Sequence, residues 1–337
     1  MIIRTVSYPR AGLVGNPSDG YFGKTIAFTF ANFAAEITLY QTPELEILPS
    51  ERDHSRFRSI SRLVDDVNLY GYYGGVRLLK AAIKRFFDYC SQNRIVLDDR
   101  NFTIRYHSTI PHRVGLAGSS AIITACMRAL CAFYQVTIPK PALASLVLAV
   151  EKEELRIPAG LQDRVAQVYE GLVYMDFAKD LMQAQGYGNY EELDPSLLPR
   201  LYVAYLDDLS EGTEVFHNNI RDRFDRGDTE VVEAMHFWAD LAQQVRALLI
   251  DGSPQRIGPL LDSNFDRRRA IYRISEGNIR MVETARSVGA SAKFSGSGGA
   301  IVGTYADEVM YEKLEQALEP LGVRVVKPKI VKRGDVV

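Results

Sequence analysis

A glycine-bearing loop between a strand and a helix constrains this chain more than any other feature. Residues 111–121 read Pro-His-Arg-Val-Gly-Leu-Ala-Gly-Ser-Ser-Ala. Ahead of them Phe102, Ile104 and Tyr106 alternate with Thr103, Arg105 and His107, the period of a half-buried strand. Behind them the apolar run from Ile122 to Tyr134 has helical character. Gly115 and Gly118 let the backbone turn its N–H groups inward without a side chain in the way. The first turn of a helix adds unpaired N–H groups and the positive end of a dipole. Together these make an anion cradle, and phosphate is the anion most often held in one. Ser119 and Ser120 can cap the helix and offer hydroxyls to a phosphate or to a Mg²⁺ beside it. Gly-Ser-Ser is equally a common turn and N-cap, so the loop alone does not assign phosphate binding.

Composition narrows the classes. With 337 residues, 47% of them hydrophobic, there is room for two domains with cores of their own. A formal net charge of −2 lacks the basic excess of a nucleic-acid coat, so no nucleic-acid partner is expected. No apolar run reaches membrane-spanning length, and Met-Ile-Ile-Arg-Thr-Val at the start lacks a leader's apolar core. Cys90, Cys126 and Cys131 lie in helically patterned segments without Cys-x-x-Cys spacing, and the five histidines show no metal-ligand spacing. The expectation is a cytoplasmic protein with reduced cysteines and no membrane partner. Oligomeric state is not legible.

Taken in order, residues 8–25 are dense in Gly, Pro, Asn, Ser and Asp and predict one long structured turn. Arg10, Asn16, Asp19 and Lys24 are spaced through it, either as ligand-facing groups or as the charges of a solvated hairpin. Ile26 to Leu39 reads as strand. From Leu69 a Gly- and Tyr-rich stretch (Tyr70, Tyr72, Tyr73) passes into an amphipathic helix whose stripe is Val76, Leu79, Ile83, Phe86 and Phe87. Pro141 suits the first turn of a helix running through Glu151 to Leu155. Asp163 falls at the start of a short helix. There it either complements the dipole or, beside a phosphate cradle, accepts a proton from a hydroxyl. Leu172 to Phe177 reads as strand, and the polar stretch 178–199 as an interdomain connection. Beyond it come a strand at 200–206, helices over 230–249 and 257–275, then strand, glycine loop and strand across 290–304. Gly296, Gly298 and Gly299 offer a second place for backbone to approach a ligand closely. A helix over 307–318 and a strand over 323–326 close the pattern.

Three of these motifs, in this order, resemble the GHMP kinase superfamily: Pro9-Arg-Ala-Gly-Leu-Val-Gly-Asn-Pro-Ser-Asp19, Pro111 to Ala121, and Ala292-Lys-Phe-Ser-Gly-Ser-Gly-Gly299. Gly160-Leu-Gln-Asp163, followed by Gly171, matches the segment bearing that family's catalytic aspartate. The wording is most similar to the plant-type glucuronokinase branch, notably in Gly-Asn-Pro-Ser-Asp-Gly-Tyr-Phe-Gly-Lys-Thr-Ile and Ala-Gly-Leu-Gln-Asp-Arg-Val-Ala-Gln-Val-Tyr. Two departures from the wider superfamily stand out. An extra residue separates Leu116 from the serines, and Asn16-Pro17 replaces the Glu-His of sugar kinases, so transfer at positions 16 and 17 is unsafe.

The resemblance implies an α+β, two-domain GHMP kinase fold. Its N-terminal part would be like ribosomal protein S5 domain 2 (1–185, with phosphate loop and base), and its C-terminal part ferredoxin-like (186–337, with the third motif). It implies ATP-dependent phosphorylation of D-glucuronate at the anomeric hydroxyl, with ATP and Mg²⁺ as cofactors. The alternatives are a GHMP kinase for a neutral sugar or other alcohol, or a non-catalytic regulator of the same fold. ATP would meet Gly115, Leu116, Ala117, Gly118, Ser119, Ser120, Ala121, Gly296, Ser297 and Gly298. Asp163 would be the base and Arg10 its orienting or charge-stabilising partner; Asn16 and Asp19 suit sugar hydroxyls. Ser120 and Glu151 would ligate Mg²⁺, with Ser119 as alternate hydroxyl and Glu153 and Glu154 as rival carboxylates. A uronate needs a cation, and Arg113, Arg164 and Lys24 stand as candidates.

Overall fold

The computed structural model describes residues 1–50, 53, 74–206 and 218–332. Strands in the first half are β1 (Ile2–Ser7), β2 (Arg10–Val14), β3 (Lys24–Thr29), β4 (Ala35–Thr42), β5 (Glu46–Leu48), β6 (Asn101–Ser108), β7 (Leu172–Asp176) and β8 (Asn189–Leu193). Its helices are α1 (Gly75–Gln92), α2 (Gly118–Tyr134), α3 (Lys140–Ala149), α4 (Gln162–Tyr169) and α5 (Lys179–Gln185). These strands form two sheets, ordered β1-β4-β6-β5 and β2-β3-β7-β8. β9 (Leu201–Leu206) opens the second half, followed by α6 (Asn218–Asp225), α7 (Thr229–Ile250), α8 (Gly258–Ile271) and α9 (Glu276–Ser287). β10 (Lys293–Phe294), β11 (Ala300–Thr304), α10 (Glu308–Leu318) and β12 (Val323–Val326) complete it. The spatial order β10-β11-β9-β12, antiparallel throughout, is the ferredoxin-like arrangement.

Helix α2, which follows the glycine loop, is apolar nearly all round because it is buried between layers. It packs on β1 and β4 and against α1 and α4. Phe133 meets Phe102 of β6 edge-on at 5.4 Å between centroids, a pair worth roughly 1 kcal/mol beyond its buried area. In the second half Trp238 is fully buried and donates its indole N–H to the Asn264 carbonyl at 3.0 Å. Asn264 itself clips the first motif: its Oδ1 accepts from Gly15 N–H at 2.8 Å, and its Nδ2 donates to the Asn16 carbonyl at 3.0 Å.

The structure corrects several sequence expectations. Residues 8–25 are not one turn, since Arg10–Val14 is a buried strand and a single 3₁₀ turn, Ser18–Tyr21, precedes β3. Gly12 lies in that strand because backbone crowds it: an added Cβ would fall 2.8 Å from the Ser295 carbonyl oxygen. Phe87 is 59% exposed and leaves the α1 stripe, whose buried members include Leu78, Leu79 and Phe86. After α3 the chain widens into a π turn, Val150–Glu154, which redirects the three glutamates. The polar stretch 178–199 is not a bare connection. It forms α5 and the edge strand β8, and edge strands tolerate polar residues. The chain therefore leaves the β7 sheet only after Leu193, beyond residue 185. Tyr70, Tyr72 and Tyr73 lie outside the described residues.

The end of the described chain returns to the first half. Ile330 bridges Phe30 antiparallel, Ala31 N–H donates to the Lys329 carbonyl at 2.7 Å, and Val331 N–H to the Thr29 carbonyl at 3.1 Å.

Candidate active site

The two glycine loops touch. In the first, Arg113, Gly115 and Ala117 have φ of +60°, +70° and +61°, so the left-handed region recurs at every second residue. For Ala117 that is an uncommon conformation, of the kind held where structure over-determines it. α2 starts at Gly118 with Ala117 at its cap position and no side-chain cap. The expected seryl cap is thus corrected: Ser120 Oγ donates back to the Ala117 carbonyl at 3.2 Å, and the first-turn N–H groups are not taken by a cap. Across the gap, a Cβ on Gly115 would meet the Gly298 carbonyl oxygen at 2.7 Å and the Ser297 nitrogen at 3.3 Å. Only residues without side chains let the loops approach so closely.

Arg10, at the start of β2, ties this junction to the acid on α4. Its Nη1 donates to the Ser295 carbonyl at 2.5 Å and to the Gly115 carbonyl at 3.4 Å. Its Nη2 donates to Asp163 Oδ1 at 2.5 Å. Asp163 Oδ2 lies 3.1 Å from Arg164 Nη1. Burial alone would raise the Asp163 pKa, but the charges and hydrogen bonds of Arg10 and Arg164 hold it below the ordinary carboxylate value. Arg164 in turn is clasped by Glu151, whose Oε2 accepts from Nε at 2.7 Å and from Nη2. Burial works against the guanidinium charge of Arg164, and the Glu151 and Asp163 carboxylates outweigh it, raising its pKa. Asp19 completes the cluster; a Cβ on Gly160 would lie 2.5 Å from its Oδ2. Burial, then the negative charge of Asp163, push the Asp19 pKa up to about 6 against the pull of Arg10 and Arg164.

Other expected site residues fall elsewhere. Asn16 is buried, with Oδ1 accepting from Lys293 Nζ at 2.6 Å and Nδ2 donating to the Phe294 carbonyl at 3.4 Å, so its amide points into the protein. Lys24 pairs with Asp176 on the adjacent strand at 3.2 Å. Arg113 is exposed, with its backbone in the left-handed region. Of the three glutamates only Glu151 turns inward; Glu153 pairs with Arg85, and Glu154 with Lys84 at 3.0 Å. No cluster of three or more His, Cys, Asp or Glu suited to a metal occurs among the described residues.

Sequence reasoning missed two buried cations, Lys293 within the third motif and Arg268 packed against it. Lys293, 1% exposed, donates to the Gly12 carbonyl at 2.7 Å, to Asn16 Oδ1 and to the Phe294 carbonyl at 2.7 Å. Burial, with the nearby charges of Arg268 and Arg10, depresses its pKa well below the ordinary lysine value. Arg268, 2% exposed, donates from Nη1 to the Gly296 carbonyl at 2.9 Å. Its helical position gave a signal: Leu261, Phe265 and Arg268 share the buried face of α8.

A sequence profile described as GHMP kinases N terminal domain matches residues 77–171, from α1 through the Gly115–Ser120 loop and Asp163 to Gly171. Over 302 residues the chain is 44% identical to Glucuronokinase 1 of Arabidopsis thaliana, covering 88% of this chain and 83% of that protein. The chain belongs to the GHMP kinase family. This GHMP kinase is also 45% identical to Probable glucuronokinase 2 of the same plant over 303 residues, covering 88% and 82% of the two chains. Among solved structures, the galactokinase of Lactococcus lactis complexed with galactose superposes with a TM-score of 0.75 at 14% identity, covering 98% of this chain and 93% of that one. At that identity the likeness shows the two-domain α+β fold. None of the described helices in this GHMP kinase is long and apolar enough to cross a membrane.

Proposed function

We propose that this GHMP kinase transfers the γ-phosphoryl group of ATP to the anomeric hydroxyl of D-glucuronate, giving glucuronate 1-phosphate. The observation that carries the reading is the Arg10–Asp163 pair set against the junction of two glycine loops, in a chain 44% identical to a named glucuronokinase. Phosphoryl transfer needs positioning and charge neutralisation more than covalent help from the protein. The free N–H groups from Gly115 to Ser120, at the start of α2, suit the β- and γ-phosphates, and Gly296 to Gly298 face them across the junction. Asp163 accepts the proton of the C1 hydroxyl as its oxygen bonds to the γ-phosphorus and the bond to the β-phosphate oxygen breaks, releasing ADP. An anomeric hydroxyl is more acidic than an ordinary alcohol, so a carboxylate with a depressed pKa suffices. Arg10 fixes the orientation of Asp163, and Asp19 is the acceptor for sugar hydroxyls.

In this reading Ser120 and Glu151 would hold Mg²⁺, with the Ser119 hydroxyl as the alternate. The hydroxyls of Ser120 and Ser119 open α2, and Arg164 contacts Glu151 through Oε2 alone. Bound there, Mg²⁺ would neutralise charge on the phosphates. The cytoplasmic setting is part of the same reading, in keeping with the free thiols of Cys90, Cys126 and Cys131.

The test is ATP consumption with glucuronate, galacturonate, galactose, arabinose and mevalonate, read with phosphorus NMR of the product. Glucuronate should turn over fastest and give an anomeric phosphate. Turnover of neutral sugars without uronates would overturn the assignment of substrate.

A further inference from the structure

If the substrate is a uronate, its carboxylate has to be met by a cation. Most of the cations around the site are already matched. Arg10 is held by Asp163, Arg164 by Glu151 and Asp163, and Lys24 by Asp176. Lys293 has an oxygen acceptor for each of its three N–H bonds. Arg268 differs from all of these. It is 2% exposed and forms no ion pair among the described residues; its one hydrogen bond there runs from Nη1 to the Gly296 carbonyl. Its Nε is buried without a hydrogen-bond partner. The guanidinium carbon lies 5.2 Å from the Tyr272 ring centroid and 5.1 Å from that of Phe294. Two rings thus hold the group, and its donor-bearing edge is what remains. A buried cation without a counter-charge is costly, and a bound anion removes the cost.

We propose that Arg268 is the residue that receives the carboxylate of the sugar acid and so sets the preference for a uronate; this rests on the glucuronokinase reading above. Its position suits that task. Gly296 separates it from the catalytic group: the glycine's carbonyl takes Arg268, while an added Cβ would lie 3.1 Å from Arg10 Nη1, on the side of Asp163. In a hexuronate the carboxylate is carried by the carbon across the ring oxygen from the anomeric carbon. The cation that reads it must stand near the base yet apart from it. Arg268 meets Gly296 through the glycine's carbonyl, whereas the Gly115 carbonyl of the other loop meets Gly296 where a Cβ would stand. That arrangement favours the sugar's carboxylate over a nucleotide phosphate. A planar fork whose buried Nε still lacks an acceptor is suited to bidentate carboxylate recognition.

The experiment compares D-glucuronate with its uncharged amide, glucuronamide, in the wild-type enzyme, Arg268→Met and Arg268→Lys. KM for ATP is measured in each. In Arg268→Met, kcat/KM for glucuronate should fall about 10²–10³-fold and the preference over the amide should vanish, with KM for ATP shifting less than about threefold. Arg268→Lys keeps a charge in the same core and serves if the methionine variant does not fold. It should lose at least about tenfold on glucuronate alone, since a point charge lacks the fork. An unchanged acid-to-amide ratio in a folded variant overturns the proposal, as does a loss that falls on ATP instead, which would assign Arg268 to the nucleotide. Wild-type enzyme that turns over no uronate would overturn the parent reading, and this one with it. Wild-type turnover of glucuronate with indifferent variants would overturn this one alone.

Discussion

Gly296 presses against the carbonyl oxygen of Gly115 so closely that a Cβ at position 296 would lie 2.4 Å from it. The two residues come from opposite halves of the fold, and their contact is what makes one site of two loops. Arg10 seals it, since a single Nη1 reaches carbonyl oxygens on both sides, those of Gly115 and Ser295.

Gly296→Ala should therefore push the loops apart. The atoms it meets are backbone and a pinned guanidinium, neither of which yields easily. Overpacking of this kind costs about 1–3 kcal/mol, and denaturant titration should read a loss of that size. KM for ATP should rise together with it, because the cradle widens.

Asp163→Asn keeps the shape and removes the charge. Turnover should drop by about 10²–10⁴-fold, the usual worth of a general base. Nucleotide affinity, measured by calorimetry, should change little, because the cradle is built from backbone groups. Wild-type turnover in this variant would remove Asp163 from the chemistry.

Asp19 gives a pH signature. With a pKa of about 6 it is a carboxylate above that pH and protonated below it. In its proposed role as acceptor for sugar hydroxyls it is the stronger when ionised, so kcat/KM for the sugar should fall as pH drops through about 6. Asp19→Asn should abolish that limb. Stability should run the other way. The native state binds this proton more tightly than the unfolded chain, whose group keeps the ordinary value of 3.8. The resulting contribution is present in full below 3.8 and is lost as pH rises through about 6. Urea midpoints of wild-type and Asp19→Asn enzyme across that window test the sign.

Lys293→Met should orphan the Gly12 carbonyl and Asn16 Oδ1, and leave the Phe294 carbonyl only the longer bond from Asn16 Nδ2. Each unsatisfied buried group costs about 1–3 kcal/mol, so a loss of several kcal/mol in urea unfolding is expected, offset in part by no longer burying an amine. Because Asn16 and Gly12 belong to the segment that carries Arg10, turnover should fall as well.

Local chemistry explains what the sequence made legible. The strand–loop–helix order around Gly115 could be read from alternation giving way to a helical apolar run, and the short helix bearing Asp163 from its local pattern. The buried strand at Arg10–Val14 could not. Its glycine signifies close packing against Ser295, a residue remote in sequence, while turn-like composition points to a loop. Arg268 was hidden in the run Arg267-Arg268-Arg269, which looks like a solvated face. Only the helical register on α8 distinguishes the buried member from exposed Arg269. Likewise the three glutamates after α3 look equivalent in sequence, and it is the π turn that sends Glu151 inward and its neighbours to Arg85 and Lys84.

The return of the final segment to Phe30 has a mechanical consequence. The polypeptide passes between the halves once after Leu193 and again before Ile330. Two crossings define a line, so any rotation of one half against the other that leaves both crossings intact has that line as its axis. Cutting the chain after Val326 would leave a single crossing and remove that constraint.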